Sequence, residues 1–521
     1  MVASNSGRTA GSDLLGQRYL APESWEVASL GDVALVLDAY REPVNNKERQ
    51  ERMSGKEESE LFPYYGATGQ VGYIDDFKLD GKYVLLGEDG APFLEPGKSK
   101  AYLVEGKIWV NNHAHVLKPK IFPEFFCYYL NSVDYSTVVT GTTRLKLNQR
   151  AMRRIAIAVP PLNEQRRIVA KIEELFSELD KGVESLKTAR AQLKTYRQSL
   201  LKAAFEGRLT EQWRRDNADK LETADQLLER IQEEREARYQ QKLEEWKAAV
   251  KEWETGGKLG TKPRKPYRPK LDVGDAANRS GSLPGGWANA RIIDIAFVGT
   301  GVTPLKKRQG YYEGGKIPWV TSGAVNDLYV QEPSGWVTET ALEETNLRLY
   351  PRGTLLVAMY GEGKTRGKAS ELAIEATTNQ ALAAVVTEGL AASVKPYLKW
   401  FLVYNYESIR QSSSGGVQPN LNLGIVEKTE FPLCSLDEQE QIVNQIESGV
   451  SRLSQLEEEL EASFRRAELL RQSILKRAFE GKLVPQDPDD EPASVLLERI
   501  RQEQADAVGT KRGKRNAGAT S

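Results

Sequence analysis

The strongest constraint in this sequence is an internal repeat whose copies lie a constant distance apart. Leu-Asn-Glu-Gln at 162–165 returns as Leu-Asp-Glu-Gln at 436–439, and Phe-Glu-Gly at 205–207 returns at 479–481, in both cases 274 residues later. A period this long indicates duplication of a whole half-protein, not a solenoid of short repeats. The chain is therefore expected to contain two related modules.

The repeat also covers the segments that precede these helical blocks. Residues 22–25 (Pro-Glu-Ser-Trp) match 284–287 (Pro-Gly-Gly-Trp), and residues 141–148 match 415–422 at the same 274-residue offset. Between these matched segments the offset changes, which indicates that the two globular parts have the same arrangement of elements and differ in the lengths of their loops. Apolar runs ended by Gly or Asn predict strands, and runs that open with proline predict short helices. The predicted strands are 83–86, 107–110 and 354–358, and the predicted helices are 123–130 and 396–404.

Apolar residues recur every seven positions in both copies of the repeated helix. A second row three positions further on includes Leu175, Tyr196, Leu456 and Leu470. This spacing predicts two coiled-coil helices that pair with each other, with one amphipathic helix on a larger core as the alternative. The main seam consists of Ile172, Leu179, Leu186, Leu193, Leu200, Ile446, Leu453, Leu460 and Ile474.

The sequence thus predicts a mixed α/β (α+β) fold, with two globular domains separated by two long paired helices. The segments between them differ in composition: a charged helical stretch is followed by a Pro/Lys-rich linker. The expected boundaries are a disordered tail (1–18), globular domain 1 (19–160), coiled-coil helix 1 (161–210), charged helix and linker (211–283), globular domain 2 (284–434), coiled-coil helix 2 (435–484), a short C-terminal helix (485–508) and a basic disordered tail (509–521).

Composition excludes some classes of protein. The 521 residues are 40% hydrophobic and 28% charged, with a net charge of −1. No run is apolar enough for a membrane span, and the Gly/Ser-rich N-terminal segment does not resemble a signal peptide, so we expect a cytoplasmic protein without a membrane partner. Cys127 and Cys434 are expected to be two buried thiols, with a disulfide as the weaker alternative. Local basic patches keep nucleic acid open as a ligand.

Motifs for catalysis are missing from the sequence. Residues 361–365 (Gly-Glu-Gly-Lys-Thr) lack the first glycine of a phosphate-binding loop, because position 358 is alanine. We interpret them as a glycine loop that exposes nearby basic residues for binding, with a row of solvated surface charges as the alternative. His113 and His115 would share a face of a strand, but no third metal ligand stands at suitable spacing. Base or phosphate contact and ordinary packing both remain open for them.

Several polar and basic residues are candidates for binding DNA. Loops that combine aromatic residues with small hydroxyl residues and glycine can approach a DNA backbone, although packing of the aromatics is the alternative. The candidates are Tyr64, Tyr65, Thr68, His113, His115, Arg144, Lys146, Asn148, Lys364, Arg366, Lys368, Asn379, Gln380, Gln418, Asn420 and Asn422.

Taken together, these segments resemble the specificity (S) subunit of type I restriction–modification enzymes. The resemblance covers residues 19–505 in family order, and each motif is weak alone. It is carried by PYYGATGQVGYIDD (63–76), NNHAHVLKP (111–119), GTTRLKLN (141–148), PLNEQRRIVAKIEEL (161–175), LLKAAFEGRL (200–209), MYGEGKTRGK (359–368), GGVQPNLN (415–422), DEQEQIV (437–443) and LKRAFEGKL (475–483).

The resemblance implies two target recognition domains at the ends of an antiparallel coiled coil, each reading one half of a bipartite, asymmetric double-stranded DNA site. It implies two modification subunits that use S-adenosylmethionine to methylate adenine, and two restriction subunits that use ATP and Mg²⁺. The chain itself would hold no active site and no cofactor. The long charged helix at 223–254 departs from the family pattern.

Two other functions stay open at this point. A structural coiled-coil adaptor would use the globular parts to bind proteins instead of DNA. A stand-alone restriction–methylation enzyme is the weaker alternative, because no catalytic motif is readable in the sequence.

Overall fold

The computed structural model of the chain describes residues 22–259, 262–269, 283–360, 365–412 and 421–517. These residues form two compact units. The first unit holds the described residues up to Ala189 and those from Glu459 onward, and the second holds Arg190–Glu458. The predicted site residues Lys364, Gln418 and Asn420, the predicted N-terminal tail (1–18) and the last four residues (518–521) lie outside the described residues.

The globular part of the first unit is mixed α/β, as predicted. Two short 3₁₀ helices, Asp38–Tyr40 and Glu58–Glu60, join its elements. The elements are β1 (Glu26–Ser29), α1 (Leu30–Val33), β2 (Ala34–Val36), α2 (Asn46–Met53), β3 (Phe62–Gly66), β4 (Gly69–Ile74), β5 (Leu79–Gly87), β6 (Ala101–Val110), β7 (Ala114–Pro119), α3 (Pro123–Ser132), α4 (Gln149–Arg153) and β8 (Ala156–Val159), followed by the long helix α5 (Leu162–Phe205).

A six-stranded sheet organises this part, in the order β2-β7-β5-β6-β3-β4. Its central strand β5 is buried on both faces, because side chains of a strand alternate between the two faces. Leu86 packs in the core against the helices, whereas Leu85 packs in a separate cluster on the other face. The predicted strands at 83–86 and 107–110 are therefore confirmed as parts of β5 and β6.

The second unit begins with helical elements and continues into a globular part with two sheets. Three 3₁₀ helices lie at Ala218–Lys220, Gln309–Tyr311 and Ser322–Ala324. The elements are α6 (Glu211–Asp216), α7 (Ala224–Thr255), β9 (Ala288–Arg291), α8 (Ile292–Ile295), β10 (Phe297–Thr300), β11 (Ile317–Val320), β12 (Tyr329–Val330), β13 (Gly335–Val337), α9 (Glu339–Glu344), β14 (Leu349–Tyr350), β15 (Leu355–Ala358), β16 (Ala369–Leu372), β17 (Ala376–Thr378), β18 (Leu382–Val386), α10 (Ala391–Ser412), α11 (Leu423–Lys428) and β19 (Glu430–Leu433), followed by α12 (Leu436–Phe479) and, in the first unit, α13 (Ala493–Ala517).

The sheets of the second unit differ from that of the first. A five-stranded sheet has the order β10-β18-β15-β16-β12, and a four-stranded sheet has the order β13-β11-β17-β14. The frame around them is nevertheless the same. A two-stranded ribbon, β1–β8 in one unit and β9–β19 in the other, leads into a long helix in each case. The duplication thus preserves the frame and varies the sheets.

Helices α5 and α12 pair antiparallel. In the first unit, Arg471 near the end of α12 forms an ion pair with Asp180 in the first half of α5, and its guanidinium lies 4.3 Å from the ring centroid of Phe176. In the second unit, the end of α5 lies beside the first half of α12. Leu200 of α5 is so near Gly449 of α12 that a Cβ added to Gly449 would lie 2.6 Å from Cδ2 of Leu200. The predicted coiled coil is confirmed.

The predicted seam lies in the helix interface, whereas the second row does not. Ile172, Ile446, Leu453 and Ile474 are buried, and the other five seam residues are half-buried. The second row was predicted wrongly at three positions, because the helices share only a narrow contact there. Tyr196, Leu456 and Leu470 are 59%, 45% and 52% exposed.

Each long helix ends against the globular part of the other half of the sequence. Phe205 at the end of α5 packs on α10, with its ring centroid 5.2 Å from that of Tyr397. Phe479 at the end of α12 packs on α3, with its centroid 5.0 Å from that of Tyr129. The helices that follow repeat this exchange, since Leu227 of α7 is buried in the second unit and Leu497 of α13 in the first.

Two predicted helix boundaries were wrong. Helix α10 begins at Ala391, so Pro396 lies inside the helix and not at its first position. A proline there removes one backbone hydrogen bond, which the burial of Tyr397, Leu398 and their neighbours offsets. The C-terminal helix α13 begins at Ala493 and continues to Ala517, past the expected end at residue 508.

Candidate nucleic-acid interface

In the first unit, candidate residues gather in the loop 140–148. Thr140 and Lys146 pair through two backbone hydrogen bonds of 2.8 and 2.9 Å, which close the loop. Asn148 ends it as the N-cap of α4, where its side-chain oxygen accepts a 2.9 Å hydrogen bond from the backbone N–H of Ala151. The loop is fixed at its base, and its basic side chains point away from the core.

Carboxylates that sequence reasoning missed neutralise part of this basic loop. The guanidinium of Arg144 lies 3.0 Å from Asp89, and the ammonium of Lys146 lies 3.1 Å from Glu88. Burial alone would raise the pKa of Glu88, but hydrogen bonds from Arg41 and Lys146 hold it below its ordinary value. Both basic side chains remain more than half exposed. A phosphate could therefore reach them, but only in competition with these carboxylates.

His115 does not belong to the surface, which corrects its selection as a DNA contact. Its side chain is buried, with Nδ1 2.7 Å from Asp38 and Nε2 2.9 Å from the carbonyl oxygen of Leu147. Burial acts to raise the pKa of Asp38, yet hydrogen bonds from His115, the Val116 N–H and Gln149 lower it overall. His115 thus ties the loop of Arg144 to the sheet, and acts by positioning that loop.

His113 stands in the turn before β7, not on the strand, so the expectation that the two histidines share one face of a strand was wrong. Its side chain is 38% exposed, and Nδ1 lies 2.6 Å from the Asp89 carboxylate that also holds Arg144. His113 remains accessible at the rim of the loop.

The aromatic loop of the first unit contributes less surface than the sequence predicted. Tyr64 is 4% exposed, and its hydroxyl exchanges hydrogen bonds with the backbone of Val44. Tyr65 is half-buried against Tyr102, and burial, followed by the charge of Tyr73, raises the pKa of its phenol. Thr68, in the turn between β3 and β4, is exposed. Packing explains Tyr64, and Thr68 is the accessible candidate.

In the second unit, the end of β15 brings two candidate groups together. Ala358 donates its N–H to the carbonyl of Lys368 at 2.9 Å, and Met359 donates to the carbonyl of Ala381 at 2.8 Å. Lys368 and the turn of Asn379 and Gln380 therefore flank the same strand end. Half-buried Arg366 lies in the turn that leads into β16.

The polar side chains at this strand end are held by neighbours. The ammonium of Lys368 donates to Asn326 at 3.1 Å, and Gln380 accepts from the hydroxyl of Thr303 at 2.7 Å. Asn379 accepts from the backbone N–H of Ala381 at 3.1 Å, which fixes its turn. Asn422 caps α11 through the N–H of Ile425 at 3.0 Å, as Asn148 caps α4 in the first unit. The two asparagine caps are equivalent positions of the repeat.

Metal binding, membrane insertion and thiol chemistry are the other possibilities for the described part of the chain. It contains no group of three or more His, Cys, Asp and Glu side chains that could hold a metal ion. In the same residues, no helix has the length and apolar character needed to cross a bilayer. Both cysteines are free thiols, Cys434 buried and Cys127 half-buried. Burial, then the charge of Glu124, raises the pKa of Cys127 to about 12, which keeps it protonated and unreactive.

Comparison with known proteins gives a consistent result. The model of the family described as type I restriction modification DNA specificity domain matches the chain twice, at residues 22–188 and 284–464. A protein of Haemophilus influenzae described as a type I restriction enzyme specificity subunit is 33% identical over 161 residues, which are 30% of this chain and 39% of that protein. The EcoBI specificity subunit of Escherichia coli is 23% identical over 407 residues, 74% of this chain and 71% of that protein.

A solved structure shares the fold. Its description is "Structural basis underlying complex assembly and conformational transition of the type I R-M system"; the matched chain is 17% identical, with a TM-score of 0.56, and the match covers 89% of this chain and 99% of that one. The chain spans less than half the length of the Haemophilus relative.

Proposed function

Because the chain belongs to the type I restriction modification DNA specificity family, we propose that it selects the DNA target of a type I restriction–modification complex. Each globular part would read one half of a bipartite, asymmetric site in double-stranded DNA. The observation that carries this is the pair of equivalent frames, β1–β8 with α5 and β9–β19 with α12, which hold different sheets. Two globular parts with different sheets, each joined to an equivalent ribbon and long helix, suit a site made of two different half-sites.

The accessible candidates would contact DNA in two ways. Arg144, Lys146 and Lys368 are suited to phosphate, whereas Gln380 carries an amide that can recognise adenine in the major groove. Thr68, His113, Asn148, Arg366, Asn379 and Asn422 would assist at the same edges. Tyr64 and His115 would position these groups because they are buried, and Tyr65 would do so through its packing against Tyr102. Lys364, Gln418 and Asn420 remain candidates on sequence grounds alone.

We propose that the chemistry resides in partner subunits. Two modification subunits would supply S-adenosylmethionine and methylate adenine, and two restriction subunits would supply ATP- and Mg²⁺-dependent cleavage, in the cytoplasm. The paired helices would dock the modification subunits and set the spacer between half-sites. Exposed apolar side chains on them, such as Tyr196, Leu456 and Leu469, would offer apolar contacts to such a partner.

A protein-binding adaptor is the competing function, and one experiment separates the two. The chain is produced with its modification subunits, and methylated adenines are mapped in the host DNA. We expect one bipartite motif. Replacing residues 284–434 with those of a relative should change one half of the motif and leave the other unchanged. An adaptor would give no motif, and a swap that altered both halves would contradict independent reading.

A further inference from the structure

We infer that residues 262–269, Lys-Pro-Arg-Lys-Pro-Tyr-Arg-Pro, form a strap that binds DNA phosphates outside the half-site read by the second unit; this inference rests on the proposed function. The segment has neither helix nor strand. Its three prolines recur every third residue, which is the period of a polyproline II helix. They would therefore line one face of such a helix.

Burial follows the same period. Pro263, Pro266 and Pro269 are half-buried, whereas the residues between them are exposed. The proline face is thus turned toward the protein, and the cationic residues are exposed, with the ammonium groups of Lys262 and Lys265 5.9 Å from the ring centroids of Trp253 and Trp246, respectively. A partner that recognises proline-rich ligands needs the proline face, so this orientation disfavours it. The exposed cations are Lys262, Arg264, Lys265 and Arg268.

The strap is anchored at both ends. The indole N–H of Trp246 on α7 donates to the carbonyl of Pro263 at 3.0 Å, and the ammonium of Lys265 lies 5.9 Å from the centroid of the same indole. At the other end, the ring of Tyr267 packs edge-on against Phe297 of β10, with centroids 4.9 Å apart. A segment held this way loses little conformational freedom when it binds a ligand.

Helix α7 carries one of these anchors. Its first turns repeat the role of α13, with Leu227 and Ile231 buried in the core of the second unit. Trp246 lies further along α7, at the helical position that Arg515 occupies in α13. The tryptophan that holds the strap is therefore particular to α7.

The strap carries four cations and no acidic residue between positions 262 and 269. Within the described part of the chain, none of its four cations pairs with a carboxylate, in contrast to Arg144 and Lys146. From Lys262 to Arg268 a polyproline II helix would extend about 19 Å. DNA rises 3.4 Å per residue along each strand, so this length faces about five successive phosphates. Four exposed cations on an anchored, extended support fit such a row of anions.

The test is a quadruple variant of the full-length chain, with Lys262, Arg264, Lys265 and Arg268 each replaced by alanine. Binding is measured by fluorescence anisotropy with two duplexes, one carrying the mapped target and one scrambled, over a range of salt concentrations. We expect the affinity for both duplexes to fall by the same factor, and the salt slope to decrease by about 3–4. The control variant replaces Lys181, Lys187, Lys194 and Lys202 of α5, which are equally exposed, and should keep the wild-type slope.

The remaining outcomes separate the two proposals. If the wild-type chain does not distinguish the duplexes, the proposed function itself fails. If it does, and the strap variant keeps the wild-type slope, the strap does not bind phosphate. If the salt slope of the control variant decreases by as much as that of the strap variant, the effect comes from net charge alone, and the proposal that the strap binds phosphate is wrong. Normal DNA binding with loss of copurifying modification subunits would make the segment a protein-docking site instead.

Discussion

Trp25 donates its indole N–H to the carboxylate of Glu164 at 3.0 Å, and Glu164 is 1% exposed. The bond ties the entry of the first globular part to the first turn of α5. Burial raises the pKa of Glu164, against the lowering effect of the Trp25 hydrogen bond and the charge of Arg167. The repeat forms the same bond between Trp287 and Glu438 at 2.9 Å. However, the carboxylate of Glu438 also accepts hydrogen bonds from the Thr210 hydroxyl and the Arg214 guanidinium, each at 2.7 Å.

This difference predicts unequal effects of one substitution at two equivalent sites. Trp25→Phe keeps an aromatic ring but leaves the buried Glu164 short of a donor, and should lower the free energy of unfolding at neutral pH by about 1–3 kcal/mol. Trp287→Phe should cost less, because Glu438 keeps two donors. Denaturant unfolding of both variants checks this, and equal losses would contradict the role given to the extra donors.

The loss in Trp25→Phe should depend on pH. Glu164 has a folded-state pKa above the ordinary value of 4.5, so its contribution to stability is present below that value and is lost as pH rises through the folded-state pKa. Removing Trp25 raises that pKa further. The difference in unfolding free energy between variant and wild type should therefore be smallest in acid and grow as pH rises above 4.5.

His115 and His113 give a second matched pair. His115→Phe keeps an aromatic ring at the site but removes the hydrogen bonds that the imidazole makes to Asp38 and to the carbonyl of Leu147. Asp38 keeps the hydrogen bonds from the Val116 N–H and Gln149, so the loss is confined to the two bonds of the ring and should lower the free energy of unfolding by about 1–3 kcal/mol. His113→Ala, at a partly exposed rim position, should stay within about 0.5 kcal/mol of wild type. Thermal unfolding measures both. Methylation by the His115 variant at a temperature where it is folded should be impaired, since its loop is no longer fixed.

The sequence predicted the duplicated frame because apolar periodicity and repeated motifs are local signals. The seam of Ile172 and Ile446 and the strand at 83–86 could be located this way. The candidate site was harder, because its decisive contacts join distant residues. Asp38 lies 77 positions before His115, and Asp89 lies 55 before Arg144. Nothing near His115 in sequence distinguishes a buried ring from an exposed one. One sequence signal could have pointed to the carboxylates of this site: Glu88 and Asp89 directly follow the apolar run of strand β5.

The carboxylate beside Arg144 should weaken non-specific binding. Asp89→Asn removes a charge that pairs with Arg144 and contacts His113, which frees a cation for phosphate. We expect higher affinity for scrambled duplex and a salt slope steeper by about one unit. Glu105→Gln removes the same charge from an exposed position on β6 and serves as the control. An equal increase in both variants would indicate a general charge effect.

Replacing two glycines with alanine should change the stability of the chain in opposite directions; one glycine directly follows α12 and the other lies within α5. Gly481 follows α12 with φ +69°, and an added Cβ would lie 2.2 Å from Cγ of Pro22. Gly481→Ala should destabilise the chain by at least about 1–2 kcal/mol, from the left-handed backbone alone. Gly182 lies within α5 with open space around it, so Gly182→Ala should stabilise by about 0.5–1 kcal/mol. Denaturant unfolding gives both values.

The length of the paired helices should set the spacer between half-sites. Inserting four residues after Ala189 in α5 and four after Glu458 in α12 adds about one turn to each, or up to roughly 6 Å. At 3.4 Å per base pair, the preferred spacer should lengthen by about one to two base pairs. The half-site sequences should stay the same, because the sheets are untouched.

Two-residue insertions at the same places provide the control for this last prediction. Four residues depart only modestly from the heptad phase, so the seam unwinds locally and survives. Two residues rotate Leu193 away from the row that Leu186 defines, and should destabilise the chain instead of shifting the spacer. Selection from duplex libraries with graded spacers measures the preference. A folded four-residue variant that kept the original spacer would show that the helices tether the two readers without fixing their separation.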